Sequence, residues 1–399
     1  MANTITQFKE GFVPKYQDIL HKSLIGRKIA SMGLQSSLTW GKKVHRPKVN
    51  VSAFAVRDVV RYSDRTMNAF SDSDQYLEID KQKAVDFQID DWDKLQTGPL
   101  QLGETVGKES ALKLKTYIDG DILAETINAA QTFDDGDIAG TAGNGITLAA
   151  GSSGNVAKTF TNLLAKLQAY NVENSGMVAT LDPYLLAILN QEIFGKELSM
   201  TDNTLKNGYS GPILGFETYM SNNLTFTAEL AMADQVSEGD TVTIAGVVFT
   251  FNATPSGAGS VDIGADAPGS IANLVLAING GAVGSTYIAL SAADRLTLTN
   301  LRVEATAATG KITLKATGSG RGVTTAETLT HASNIWSKRM IHCYAGKKGG
   351  IDIVLQQDVM PKFREEPKQL TTNVLISALY GKKVFDDGAA KFIDLKFAV

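Results

Sequence analysis

Cysteine is almost absent from this sequence: 399 residues contain one, Cys343. A lone thiol excludes an internal disulfide and any cysteine-rich metal centre, and it suits a reducing compartment. Proline is scarce too, 9 residues against 37 glycines, a balance that favours tight turns over disordered stretches. The histidines His21, His45, His331 and His342 lie apart, without the short spacings that metal sites use. No run reaches the roughly 18 apolar residues a bilayer-spanning helix needs. The opening MANTITQFK lacks the basic and apolar parts of a secretory signal, so no export is predicted. A formal net charge of -4 is far from the strongly basic footprint of a general nucleic-acid binder.

Catalytic motifs are missing as well. Gly103, Gly107 and Lys108 approach a phosphate-binding loop, but the glycine spacing is one residue short and Glu109 stands where Ser or Thr is needed, so a helix start is the simpler reading. Asp134, Asp135 and Asp137 around Gly136 match the beginning of a calcium loop and lack its later ligands. Gly-x-Ser-x-Gly does not occur. Cys343 and His342 are adjacent, and neighbours on a strand point to opposite faces, so Cys343 is expected to be a buried, inert thiol.

What is present is length and pattern. The length predicts two or three lobes, or one fold carrying an insertion. Hydrophobic content of 43% with 20% charged residues is that of a folded protein. Ile19, Leu20, Leu24, Ile25 and Ile29 recur at helical spacing after Pro14, giving a short amphipathic arm. Two strand-like runs follow, residues 44–56 with Val49, Val51 and Ala53 in alternation, and 76–89 with Leu77, Ile79, Val85 and Phe87. Together with the mixed-charge stretch between them they predict a long projecting hairpin.

From Gly103 to Ala130, Val106, Ala111, Leu114, Ile118, Ile122, Leu123 and Ile127 share one helical face. Gly120 is a natural place for a bend in that helix. A turn-rich loop follows, then a helix over 156–170, a buried strand over 177–181, and a helix opened by Asp182 as cap and Pro183 at its first position. Between about residues 227 and 333 the composition turns to Ala, Gly and Thr, with the strand-like runs DTVTIAGVVFTF, RLTLTNLRVEA and GKITLKAT and one helix over 268–279. This stretch reads as an inserted, mainly β domain.

Several segments resemble, in order and spacing, the major capsid proteins of tailed bacteriophages, whose fold is shared with encapsulins and the herpesvirus capsid floor. YLEIDKQKAVDFQIDDWDKLQT is similar to the return strand of that family's extended loop, and GETVGKESALKLKTYIDGDILA to its spine helix. MVATLDPYLLAILN with GPILGFETYMSNNL is similar to the central lobe, and YAGKKGGIDIVLQ with VLISALYGKKVF to the closing strands. The likeness covers the chain outside residues 227–333, and inserted β domains occur in some family members.

The resemblance implies an α+β capsid fold. Its parts would be an N-terminal arm (1–35), an extended hairpin loop with its base (36–95) and a peripheral domain with the spine helix (96–135). An axial α/β domain (136–226 and 334–365), the inserted β-rich domain (227–333) and closing strands (366–399) complete it. It further implies a non-enzymatic subunit, without cofactor or membrane, that assembles with copies of itself into pentamers and hexamers of an icosahedral shell in the host bacterial cytoplasm. Implied partners are a portal protein at one vertex, scaffolding and decoration proteins, and packaged double-stranded DNA inside.

Contacts between subunits would fall on Phe12, Ile19, Leu24 and Ile29 of the arm and on Arg57, Arg61, Arg65, Asp72 and Asp74 of the hairpin. Exposed pairs of this kind set register more than affinity, and a merely solvated tip is the alternative. The chain opens on the arm, which leaves a separate scaffold, a prior cleavage or no scaffold open. No position matches the Lys and Asn crosslinking partners of some relatives. Residues 227–333 suit either an outward decoration or an internal brace, and their early acidic excess argues against facing DNA. The rival readings are an encapsulin-like compartment shell, a tail, baseplate or adhesin protein, and an enzyme of unrecognised type.

Overall fold

A computed structural model of the chain describes residues 24–37, 41–50, 71–90, 102–148, 155–194, 215–281, 284–366 and 371–399, with isolated positions between 54 and 92. The chain enters through α1 (Gly26–Ile29) and then forms β1 (Lys43–Asn50), β2 (Ser71–Glu78) and β3 (Lys81–Asp90). β1 and β2 pair antiparallel from Lys43 opposite Glu78 to Asn50 opposite Ser71, making a two-stranded ribbon. The return strand expected over 76–89 therefore ends early. Beyond Asp80 the chain leaves the ribbon, and β3 pairs instead with β16 (Thr371–Lys383), Val85 opposite Ile376 and Phe87 opposite Val374. The alternation of Val85, Phe87 and Ile89 explains the switch: that face packs into the main hydrophobic core, which the ribbon does not have.

Helix α2 (Leu102–Ala124) runs on into a 3-10 turn at Glu125–Asn128. Its 23 residues span about 35 Å at about 1.5 Å each. Leu114, Ile118, Ile122 and Leu123 are buried, as the periodicity requires. The helix continues through Gly120. That glycine provides a close approach, since a Cβ there would sit 3.0 Å from the Cα of Gly318.

Against the same turn of α2 docks α1, whose Gly26 N–H donates to Asp119 Oδ1 at 2.5 Å. Residues 29–31 then run beside β15 (Asp352–Glu366), with Ser31 N–H donating to Ile351 O and Ile353 N–H to Ser31 O. Ile25 and Ile29 are enclosed as a result, each burial worth about 1.5–3 kcal/mol. Expected at a subunit contact, Ile29 is instead 0% exposed within the subunit's own core.

β4 (Gln131–Phe133), α3 (Asn155–Ala169), β5 (Met177–Leu181), α4 (Pro183–Phe194) and β6 (Phe216–Met220) come next. They attach to an eight-stranded sheet, whose central path after β4 uses β7 (Thr225–Ala231), β11 (Val303–Ala308), β12 (Lys311–Ala316), β14 (Trp336–Lys347) and β17 (Phe392–Ala398). The spatial order is β11-β12-β7-β14-β17-β4, with β5 joined to β14 and β6 to β5. β16 lies between β15 and β3 in a separate three-stranded sheet.

Between β7 and β14 lie β8 (Thr241–Ile244), β9 (Val247–Asn252), β10 (Ser260–Asp262), α5 (Ala267–Asn279), α6 (Ala292–Asn300) and β13 (Thr325–Thr328). β10-β9-β8-β13 form a second sheet over a separate core that includes Phe226, Leu230, Phe249, Phe251, Leu274 and Leu314. α5 starts as expected, with Asp266 accepting from Gly269 N–H at 2.8 Å. RLTLTN, expected as a strand, is helical. Ser291 caps it by accepting Asp294 N–H, and Thr297 and Thr299 return their hydroxyls to carbonyls four residues back. The apparent alternation misleads because Leu298 is 1% exposed and Leu296 58%. At the outer edge of the eight-stranded sheet, the Asn279 amide pairs with both backbone groups of Ala305 on β11, each bond 2.8 Å long.

Candidate assembly surface

The ribbon is tied to the body by charged side chains. Arg46 and Lys48 are two residues apart on β1, so their side chains emerge on the same side. They meet α7 (Asp386–Ala389): Arg46 Nη2 is 2.6 Å from Asp387 Oδ2 and Lys48 Nζ 2.7 Å from Asp386 Oδ2. Arg46 also reaches Asp352 at 3.4 Å. Lys48, then Gln75, holds the Asp386 carboxyl below its ordinary range, while burial pushes Asp352 up against the pull of Ser31 and Arg46. Beneath these ion pairs a small apolar cluster of Leu77, Ile79, Val354 and Phe385 joins ribbon to body. None of the four charged residues of α7 and β1 was singled out in the sequence, although the i, i+2 spacing of Arg46 and Lys48 was a legible signal.

Of the residues expected at subunit contacts, Phe12, Ile19, Arg57 and Arg65 lie outside the described residues. Leu24 is 37% exposed, and Arg61 is exposed in a turn beyond the ribbon. Asp72 and Asp74 are exposed on β2 opposite Val49 and Pro47. Asp74 bonds His45 Nδ1 across the ribbon at 2.5 Å, so it braces the two strands and is not a free charge.

A second concentration of charge is buried at the end of α2. Asp119 accepts from Gly26 N–H and from Asn223 Nδ2, the latter at 2.8 Å; burial raises its carboxyl pKa and Asn223 partly offsets that. Asp121 accepts from Arg302 and, at 2.5 Å, from the Tyr380 hydroxyl, while Lys382 Nζ donates to its carbonyl at 2.6 Å. Burial opposes its ionisation, yet Lys382, Arg302 and Tyr380 outweigh that and hold its carboxyl below the ordinary range. Four chain segments therefore converge on one helical turn.

The motifs weighed for chemistry are occupied structurally. Asp134 accepts from Gly136 and Gly143 N–H, Asp135 from Thr141 N–H, and Asp137 pairs with Lys166 Nζ at 2.7 Å. His342 bonds Asp394 through Nδ1 and Thr227 through Nε2, an order that resembles a proton relay. Its imidazole is 5% exposed and lies between strands, where it ties β7, β14 and β17 together. Cys343 is fully buried, and burial, then Asp394, drives its thiol pKa well up, so it is a poor nucleophile.

The architecture has known counterparts. A structure from Mycobacterium phage Che8 superposes with a TM-score of 0.53 at 14% identity, covering 97% of this chain and 96% of that one. The capsid structure of the Cyanophage P-SCSP1u gives 0.52 at 12% identity, covering 98% and 93%. The chain has the phage capsid fold. No protein-family model matches the sequence, and no curated protein matches it. The likeness to the capsid fold thus resides in the arrangement of elements and extends over nearly the whole length of both partners.

Proposed function

We propose that this chain is the major capsid protein of a tailed phage, the repeating subunit of an icosahedral shell around packaged double-stranded DNA. Its role is mechanical, and no catalytic step is assigned to it. The observation that carries the reading is the near-complete mutual coverage with a phage capsid structure, 98% of this chain and 93% of the other. Subunits would group as pentamers and hexamers, with a portal protein at one vertex and with scaffolding and decoration proteins as further partners. Assembly in the host bacterial cytoplasm fits the reducing compartment inferred from Cys343.

The ribbon supports this reading physically. A two-stranded sheet is marginal alone in water and gains stability by lying on a further surface, which a neighbouring subunit would offer. Leu24, Arg61, Asp72 and Asp74 remain candidates for that contact, with Phe12, Ile19, Arg57 and Arg65 from the sequence; Ile29 does not. Residues 227–333 would form an inserted domain on the outer face, joined to the axial domain through the shared sheet.

Negative-stain microscopy of the purified chain, alone and co-expressed with a scaffolding protein, tests the proposal. Closed icosahedral particles or fivefold and sixfold rings are the expected result. Monomers alone at high concentration under both conditions would overturn it.

A further inference from the structure

Helix α1 is four residues long and has no cap of its own, because Ile25 stands at its N-cap position and offers no side-chain acceptor. The acceptor comes instead from α2, 93 residues away: Asp119 Oδ1 takes the Gly26 N–H at 2.5 Å, and the Ile25 N–H supports the same carboxyl. Asn223 Nδ2 holds the other oxygen at 2.8 Å and so fixes the plane of the carboxyl. Gly26 makes the approach possible, since a Cβ there would stand 3.0 Å from Asp119 Oδ1 and 3.1 Å from Ile122 Cβ.

Among the described residues no ammonium or guanidinium pairs with Asp119, which is 3% exposed, and burial raises its pKa. A buried carboxylate without a paired cation costs stability. What it supplies is direction. Burial of Ile25 and Ile29 is non-directional, whereas bonds from two successive backbone amides to one fixed carboxyl admit a single orientation of the helix start. Downstream the chain is fixed too: Arg27 forks onto Asp358 at 2.7 and 3.2 Å, and the Gln35 amide takes both backbone groups of Leu355 at 2.7 and 2.8 Å. The 24 residues before Ile25 therefore start from a set point. Fully extended they would reach at most about 80 Å, against a radius of gyration of about 21 Å for a compact chain of this length, so a second copy is within range.

We propose that Asp119 is the positioning residue of the arm: it sets the direction in which residues 1–24 leave the subunit and thereby acts on assembly through the arm. This rests on the shell reading. Asp119→Asn isolates the role. The amide keeps the volume and has no charge to bury, which offsets the lost bond, so the urea midpoint should stay near the parent's. With a single acceptor oxygen it must turn an N–H toward either Gly26 or Asn223, and the helix start loses its fixed direction.

Competitive co-assembly tests this: full-length variants are co-expressed with excess parent chain, and the share of each entering particles is read by mass spectrometry. Asp119→Asn should enter about tenfold less than the parent. A flexible Gly/Ser linker inserted between Leu24 and Ile25 uncouples the arm from α1 and should also reduce entry. In that background Asp119→Asn should change entry by less than about twofold, since the residue acts through a direction already lost. Parent-like entry of Asp119→Asn would overturn the proposal. So would the same tenfold loss repeated with the linker present, because Asp119 would then act through the subunit's own fold. Absence of particles from the parent alone would defeat the shell reading, and this inference with it.

Discussion

The ribbon base and the end of the long helix are both held by charges, and they differ in what surrounds those charges. At the ribbon, Arg46 and Lys48 meet Asp386 and Asp387 in water; the side chains are between 37% and 60% exposed, so solvent screens each pair and its contribution is small. At the helix, Asp121 is buried with Arg302, Tyr380 and Lys382, where losing one partner leaves the others desolvated and unmatched. The same residue types therefore make an adjustable joint in one place and a fixed one in the other.

The sharpest way to break this comparison is Asp121→Ala. It strands Arg302, Tyr380 and Lys382, and urea denaturation of the purified subunit should show a loss of about 3–5 kcal/mol. The contribution also depends on pH in a defined direction. Because the folded carboxyl ionises more readily than its ordinary value of 3.8, the stabilisation is complete above that value and disappears as pH falls through the folded pKa. Acid should thus narrow the gap between parent and Asp121→Asn. A smaller but still large effect is expected for Ile29→Ala, about 2–5 kcal/mol by the same denaturation assay, because the side chain leaves a cavity in the subunit core. Unchanged subunit stability with weakened assembly would instead return Ile29 to an interface. Lys48→Ala should be the mildest, barely shifting the denaturation midpoint, with the difference fading as salt is raised.

How far the sequence could be read follows from the same contrast. Helix α2, the strand at 177–181 and the Asp182–Pro183 start of α4 were legible because each carries local signals of period or capping. RLTLTN was not, because its alternating leucines obey a strand's period while Ser291 and the threonine hydroxyls stabilise a helix. The break at Asp80 was hidden as well, since β2 and β3 are both strands and only their partners differ. Candidate contact residues fared similarly. The charge of Asp74 was visible, but its use on His45 across the ribbon depended on register. Ile29 looked like part of an amphipathic arm; the elements around it, α2 and the chain entering β15, lie far along the sequence. The convergence on Asp119–Asp121 had a trace in the sequence only as two aspartates around a glycine.

The Asn279 amide on Ala305 has a consequence for how such a subunit behaves in a crowded cell. β11 is the last strand of its sheet, and an open last strand invites a stranger's strand to add on without limit. By occupying both hydrogen-bonding groups of one residue with a side chain that carries no strand behind it, Asn279 blocks that pairing at Ala305. A strand added at this edge would have to forgo its hydrogen bonds at position 305, so the sheet is guarded there against extension.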